Sequence, residues 1–144
     1  MMAERLTASG FSLSARWKLQ ANSRVRLIGE PPKQPGIYAF AVDGEVCYVG
    51  STQGGIAKRL RPYEITKDKK RLAFRIKILI RKALKSGSEV TVLTIINLKP
   101  IQWRGLPVDL IAGLEVGLIR ELQPKWNRRE LGALRKQKDS EISN

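Results

Sequence analysis

The chain has no histidine and only one cysteine, and these two absences exclude much of the usual catalytic repertoire. Without histidine, neither a Ser-His-Asp nor a Cys-His triad can form, and Cys/His zinc sites are excluded as well. Cys47, the single cysteine, cannot form an internal disulfide, and its place within an apolar run predicts a small buried hydrophobic residue. Any general base must therefore be a carboxylate, a lysine, a tyrosine or a metal-bound hydroxide.

Acidic residues and long apolar runs are also scarce. The 144 residues hold 13 Asp plus Glu against 27 Lys plus Arg, which leaves a net charge of +14. This excess favours fast, salt-sensitive association with phosphates, so nucleic acid is the predicted partner class. No apolar run approaches the roughly 20 residues of a membrane-spanning helix, and the start of the chain lacks a signal-peptide core. We therefore expect a soluble, cytoplasmic, single-domain protein with no membrane partner.

Two short apolar runs on either side of an Asp-Gly pair form the clearest local pattern. Residues 37–42 and 45–50 are rich in β-branched and aromatic side chains, which favour strands. Asp43 and Gly44 accept the positive φ angles of a two-residue turn, so the segment is predicted to be an antiparallel hairpin.

Each run of this hairpin carries a tyrosine. We expect the two tyrosines to lie side by side. In a regular register across the turn, Tyr38 falls nearly opposite Val49 and Tyr48 nearly opposite Ala39. On composition alone, two aromatic residues packed on a hairpin explain the pattern as well as a functional site does.

The remaining elements follow from hydrophobic periodicity and from residues that begin or end helices. They are a short helix from about Ser14, a helix over 56–60 that Pro62 interrupts, a basic helix stopped by Gly87, a strand over 89–98 and a helix from about Asp109 to Gln123. In the last helix, Gly113 and Gly117 each cost on the order of 1 kcal/mol, which suggests close backbone approach or crowding beside a site.

The basic helix carries a row of cations on the face opposite its apolar stripe. They are Lys70, Arg71, Arg75, Lys77, Arg81, Lys82 and Lys85. A solvated surface is one explanation of such a row. Because these like charges repel one another in a free helix, we favour a phosphate-facing role for part of the row.

The hairpin motifs and the residues that follow them resemble the GIY-YIG nuclease superfamily. "GIY" at 36–38 and "YVG" at 48–50 stand where the family has its two name-giving motifs. The rest of the family's ordered set follows as Arg59, Tyr63, Glu115 and Asn127. One departure is Tyr63, which stands where several members of the family have histidine.

The resemblance covers 34–128 and implies a small α/β (α+β) domain, with a three-stranded antiparallel sheet flanked by helices. Residues 1–33 are then an N-terminal extension, and residues 129–144 are a polar, basic C-terminal tail. Arg61 competes with Arg59 for the catalytic role, but Arg59 alone has the family's spacing to Tyr63.

The activity implied by the resemblance is hydrolysis of DNA phosphodiester bonds with Mg²⁺ or Mn²⁺. In this assignment Glu115 binds the metal, Arg59 stabilises the charge of the transition state, and Tyr38 accepts the proton of the attacking water. Tyr48 helps to order the water or the phosphate, and Asn127 holds the geometry of the site.

Contacts to nucleic acid are assigned to basic residues of the two helices after the hairpin, namely Lys58, Arg61, Arg71, Arg75, Arg81 and Lys82. The form of the DNA, including single-stranded or branched DNA, stays open. Concerted cleavage of both strands by one site per chain would require a homodimer, which the sequence does not decide. Two alternatives also remain: a nucleic-acid-binding module of the same fold without turnover, and an RNA-associated basic protein.

Overall fold

The computed structural model describes residues 2–127, so the predicted tail at 129–144 lies outside the described residues. Along this part of the chain the elements are α1 (Ala3–Ala8), β1 (Ser12–Leu19), β2 (Val25–Gly29), β3 (Gly36–Val42), β4 (Glu45–Thr52), α2 (Ile56–Ile65), α3 (Leu72–Lys85), β5 (Val90–Ile96), β6 (Ile101–Trp103), β7 (Leu106–Val108) and α4 (Leu110–Leu122). None of these helices is long and apolar enough to cross a membrane.

A five-stranded sheet in the order β2-β1-β5-β3-β4 forms the centre of the α+β fold, and all of its pairings are antiparallel. The three predicted strands are present as β3, β4 and β5. The prediction of a three-stranded sheet is wrong, because β1 and β2 extend the sheet to five strands. The helix expected from Ser14 is wrong, because that segment is strand β1. Its buried residues Ala15 and Trp17 alternate with exposed Arg16 and Lys18, which is the period of a strand and not of a helix.

The predicted hairpin is present as β3 and β4. Its turn residues have φ angles of 49° at Asp43 and 84° at Gly44, as the Asp-Gly pair requires. The predicted register holds only next to the turn, because the pairing shifts by one residue between Phe40 and Ala41. Beyond this β-bulge, Tyr38 lies opposite Gly50 and not opposite Val49.

The helices agree with the sequence pattern in position but not in every boundary. Helix α2 continues through Pro62 to Ile65, because its fully buried residues, among them Leu60 and Tyr63, hold it against the sheet. Helix α4 begins as predicted at Asp109, whose carboxylate accepts a hydrogen bond from the N–H of Ala112.

Helices cover both faces of the sheet and divide the core in two. On one face α2 and α3 pack over Tyr38, Phe40 and Tyr48, together with Trp17 and Val92. On the other face α1 and α4 pack over an aliphatic cluster of Ile37, Ala39, Ala41, Val46, Val49 and Leu93. Alternate residues of β3 thus supply two different cores.

The two glycines of α4 lie on its exposed face. A Cβ added at Gly113 or Gly117 would meet no heavy atom within 4 Å. The expectation that these glycines mark close backbone approach or crowding is therefore wrong within the described chain, because they face away from the sheet.

Candidate active site

All three tyrosines of the chain converge on the face of the sheet that α2 and α3 cover. The hydroxyl oxygens of Tyr38 and Tyr63 lie 2.8 Å apart, and the Tyr63 hydroxyl donates to that of Tyr48 at 3.3 Å. The three ring centroids are 6.1 to 6.3 Å from one another. Two strands and one helix, distant in sequence, thus bring three hydroxyls into one buried group.

The β-bulge places both hairpin tyrosines on this face. In the regular register, Tyr48 would lie opposite Ala39 and would point into the aliphatic core. The bulge instead pairs Tyr48 with Phe40, which is on the same face as Tyr38. One extra residue on β4 therefore decides whether the two tyrosines can meet, since side chains alternate along a strand.

Both motif glycines are required by close approach. A Cβ at Gly50 would lie 2.5 Å from Cζ of Tyr38 and 2.6 Å from its hydroxyl oxygen. A Cβ at Gly36 would lie 2.0 Å from the carbonyl oxygen of Ile95 on β5. Gly50 leaves the space that the Tyr38 ring occupies, and Gly36 lets β3 and β5 pair at normal separation.

Helix α2 directs Arg59 into the tyrosine group and Arg61 away from it. The guanidinium carbon of Arg59 lies 6.0 Å from the centroid of the Tyr63 ring, and Arg59 is half-buried. Arg61 is exposed, two residues further along the same helix. Arg59 therefore lies beside the tyrosine group, and Arg61 faces solvent.

Burial is the largest influence on the pKa values of Tyr38, Tyr63 and Arg59. It raises the pKa of Tyr38, although the hydrogen bond with Tyr63 and the positive charge of Arg59 counteract the rise. Burial, with the neighbouring tyrosines, raises the pKa of Tyr63 well above its ordinary value. Burial lowers the pKa of Arg59, but Tyr38 and Tyr63 raise it on balance, so its guanidinium stays charged. At neutral pH Tyr38 and Tyr63 are therefore neutral phenols beside the cation of Arg59.

Glu115 lies on the half-buried flank of α4, close enough for its negative charge to raise the pKa of Tyr38. The prediction that it sits at the edge of the buried stripe agrees with this position. Among residues 2–127 no group of three or more His, Cys, Asp or Glu side chains could hold a metal. Glu115 is the carboxylate whose charge acts on Tyr38, and a Mg²⁺ that keeps most of its waters needs only one or two carboxylates.

Asn127 holds the strand that carries Tyr48. It is fully buried, its Oδ1 accepts from the N–H of Val49 at 2.9 Å, and its Nδ2 donates to the Val49 carbonyl at 2.9 Å. The N–H of Trp126 donates to the carbonyl of Cys47 at 2.9 Å. Because β4 is an edge strand, these two residues pair with its otherwise open side on both flanks of Tyr48.

The basic residues assigned to nucleic acid fall into two groups. Lys58, Arg61, Arg71 and Lys82 are exposed. Arg75 and Arg81 are half-buried, and Arg75 donates from Nη2 to the carbonyl of Trp126 at 2.8 Å. The sequence did not indicate this contact, which ties α3 to the segment beside β4.

The placement of Lys77 on the outer, cationic face of α3 is wrong. This lysine is buried, its Nζ donates to the carbonyl of Thr66 at 2.6 Å, and it lies 4.8 Å from the ring centroid of Phe74. Its role is therefore in packing and not in contact with a partner. The burial of Lys77 was not evident from the sequence, because this residue directly follows Ile76 of the apolar stripe that Ile76 and Ile80 form.

Comparison with solved structures places this fold among known proteins. A mutant of bacteriophage T4 EndoII matches with a TM-score of 0.71 at 26% sequence identity, over 87% of this chain and 97% of that one. The restriction endonuclease HPY188I, in complex with product DNA, matches with a TM-score of 0.52 at 14% identity, over 84% of this chain and 78% of that one. No protein-family model and no curated protein matches the chain. The chain therefore has a fold that is found in nucleases.

Proposed function

We propose that this protein is a divalent-metal-dependent DNA endonuclease of the GIY-YIG type. The observation that carries the proposal is the meeting of three tyrosine hydroxyls with Arg59, within range of the charge of Glu115. The likeness in fold to EndoII at 26% identity, and to a restriction endonuclease, supports the same class of activity.

Tyr38 is the proton acceptor in this proposal. Tyr38 first loses its own proton to solvent, a step that the positive charge of Arg59 favours. As the oxygen of water bonds to phosphorus, the water's proton passes to the Tyr38 phenolate, the bond from phosphorus to the leaving oxygen breaks, and the leaving oxygen takes a proton from solvent. Tyr63 keeps its own proton, because its pKa is raised well above the ordinary value. Once Tyr38 is a phenolate, the Tyr63 hydroxyl, 2.8 Å away, can turn its proton from Tyr48 to the Tyr38 oxygen and stabilise the negative charge there.

Arg59 stabilises the negative charge that gathers on the phosphoryl oxygens in the transition state. Its guanidinium is permanently charged and presents a planar fork of donors. Packed against Tyr63 and half-buried, the group is already oriented, so little reorganisation is needed during the reaction.

Glu115 would hold the divalent cation, together with water and a phosphate oxygen of the substrate. When bound, Mg²⁺ or Mn²⁺ supplies positive charge at the phosphoryl oxygens and lowers the pKa of a coordinated water. A single carboxylate suffices for this, because Mg²⁺ usually binds through one or two carboxylates and retains several waters.

DNA is the proposed substrate because the chain is strongly basic and several of its basic residues are exposed. The net charge of +14 favours a polyanion, and four of the assigned basic residues on α2 and α3 are exposed. The second candidate is a nucleic-acid-binding module without turnover. It is favoured by the burial of Tyr38, of which only 1% is exposed.

The experiment that separates the two is cleavage of plasmid, linear duplex, single-stranded and branched DNA, with and without Mg²⁺ or Mn²⁺. We expect metal-dependent cutting of at least one form. Glu115→Gln should abolish that cutting and leave DNA binding nearly intact, because it removes the charge of the carboxylate and keeps its shape. Glu121→Gln is the matched control on the exposed side of the same helix and should cut normally. Tight binding by the wild type without cutting under any of these conditions would favour the binding module.

A further inference from the structure

A short segment after α4, residues 123–127, lies along the open edge of strand β4. The N–H of Asn127 donates to the carbonyl of Pro124 at 3.0 Å, which closes a tight turn. The Trp126 side chain is buried in the core on the tyrosine side of the sheet. The segment therefore connects the end of α4, the helix that carries Glu115, to the strand that carries Tyr48.

Trp126 has both of its backbone polar groups bound, each by a different element. Its N–H donates to the carbonyl of Cys47 on β4 at 2.9 Å, and its carbonyl accepts from Nη2 of Arg75 on α3 at 2.8 Å. A hydrogen bond from a cation is roughly twice as strong as one between neutral groups, and a buried carbonyl that loses its donor is costly. Arg75 therefore fixes the peptide group that joins Trp126 to Asn127.

The contacts of this segment with β4 lie on both sides of Tyr48. One is at Cys47, and at the other the Asn127 side chain binds both backbone polar groups of Val49 at 2.9 Å. The hydroxyl of Tyr48 accepts from Tyr63 at 3.3 Å, which is longer than usual for a hydrogen bond between hydroxyls. A small shift of β4 would therefore separate Tyr48 from the rest of the tyrosine group.

We propose that Arg75 is a positioning residue of the candidate active site, which acts through the segment 123–127 on the orientation of Tyr48. This role rests on the proposed function, because a fixed orientation of Tyr48 matters most where a reaction takes place. It differs from the contact with nucleic acid that the place of Arg75 in the basic row suggests. Its guanidinium is half-buried and bound to the protein backbone, whereas Arg71, one turn earlier, is exposed to solvent, where a phosphate can reach it.

The test measures the single-turnover cleavage rate at saturating DNA, with a DNA form that the wild type cuts. The affinity for the same DNA is measured separately, without divalent metal and over a range of salt concentrations. Arg75→Met keeps the apolar stem and removes the donors. We expect the rate to fall about tenfold to a hundredfold, the scale of a small misplacement in an active site. The affinity and its salt dependence should stay as in the wild type, because no contact with phosphate is lost.

Two further variants on the same helix are controls. Arg71→Met should weaken binding and lower the slope of log affinity against log salt by about one, as expected for a lost phosphate contact. Ile80→Val removes one methyl group from a fully buried side chain, so it should lower the melting temperature and leave the cleavage rate unchanged. The second control separates a loss of positioning from a loss of stability.

Asn127→Asp tests the route through the segment. Aspartate keeps the shape of asparagine, but its carboxylate cannot donate to the carbonyl of Val49. If Arg75 acts through this residue, the double variant with Arg75→Met should lose less rate than the product of the two single losses. Arg75→Gln keeps an N–H donor without the charge, so it should lose less rate than Arg75→Met and show the same salt dependence as the wild type. It tests the same role if Arg75→Met does not fold.

Three results would overturn this role of Arg75 and leave the proposed function intact. They are a normal rate in Arg75→Met, a lower salt slope in both Arg75 variants, and rate losses that multiply in the double variant. An equal rate loss in Ile80→Val would have the same consequence. A wild type that binds DNA and cuts none of its forms would instead overturn the proposed function, and the positioning role with it.

Discussion

The two faces of strand β3 are both buried, yet they differ in chemistry. On the side of α4, Ile37, Ala39 and Ala41 are fully buried in an aliphatic core. On the side of α2, Tyr38 is buried to the same degree and carries a hydroxyl that has to find a hydrogen-bond partner there. The first face requires only shape and apolar area. The second also requires that polar atoms from separate elements meet within hydrogen-bonding distance.

Phe40 shows that an aromatic ring without a hydroxyl packs well on the tyrosine side of the sheet. Its ring centroid lies 5.4 to 5.7 Å from those of Tyr38, Tyr48 and Tyr63, so it belongs to the same aromatic cluster. It has no hydroxyl and leaves no polar atom to satisfy. Three hydroxyls beside it are therefore more than packing demands.

The largest effect should come from Arg59. Arg59→Ala should lower the single-turnover cleavage rate by about two to three orders of magnitude, the usual scale for losing one donor to a developing charge. Arg59→Lys should rescue little, because a point charge does not reproduce the planar fork. Arg61→Ala, the exposed neighbour on the same helix, should cost far less. Equal losses at both positions would contradict the assignment of Arg59 to the site.

The next effect should separate the two faces of β3 directly. Tyr38→Phe should lower cleavage by about two orders of magnitude, the scale of losing a general base, with a small change in melting temperature because the ring remains. Ile37→Val should show the reverse, a loss of about 0.5 to 1.5 kcal/mol in unfolding free energy with unchanged cleavage. Paired urea unfolding and cleavage assays measure both. A folded Tyr38→Phe protein that cuts normally would return Tyr38 to a packing role.

The smallest effect should be on stability at alkaline pH. Burial raises the pKa of both Tyr38 and Tyr63, so the native state favours their neutral forms. Their contribution to the unfolding free energy is complete below the unfolded-state value of about 10. It is lost as the pH rises through the folded-state pKa values. Tyr63→Phe should therefore flatten the fall in stability above about pH 10, whereas Ile37→Val should lower the curve by a similar amount at every pH. Identical slopes for wild type and Tyr63→Phe would contradict this account.

Local signals in the sequence were strong enough to predict the elements that build the site. The Asp43-Gly44 pair predicted the hairpin, and Asp109 predicted the start of α4, because both depend on backbone preferences of a few adjacent residues. The same local reasoning failed where packing overrides preference. Pro62 did not end α2, because buried residues hold that helix against the sheet. The segment after Ser14 is a strand, because it pairs with β2 and β5 within the sheet.

The sequence by itself determined the residue types of the candidate site. The chain has no histidine and three tyrosines, and its motif residues follow one another in order from Gly36 to Asn127. The tertiary structure decided which of them meet. A regular hairpin sends Tyr38 and Tyr48 to opposite faces, and only the bulge in β4 brings them to the same one. The bulge and the hydrogen bonds between Asn127 and the backbone of Val49 depend on contacts between residues far apart in the chain. Local propensity does not encode such contacts.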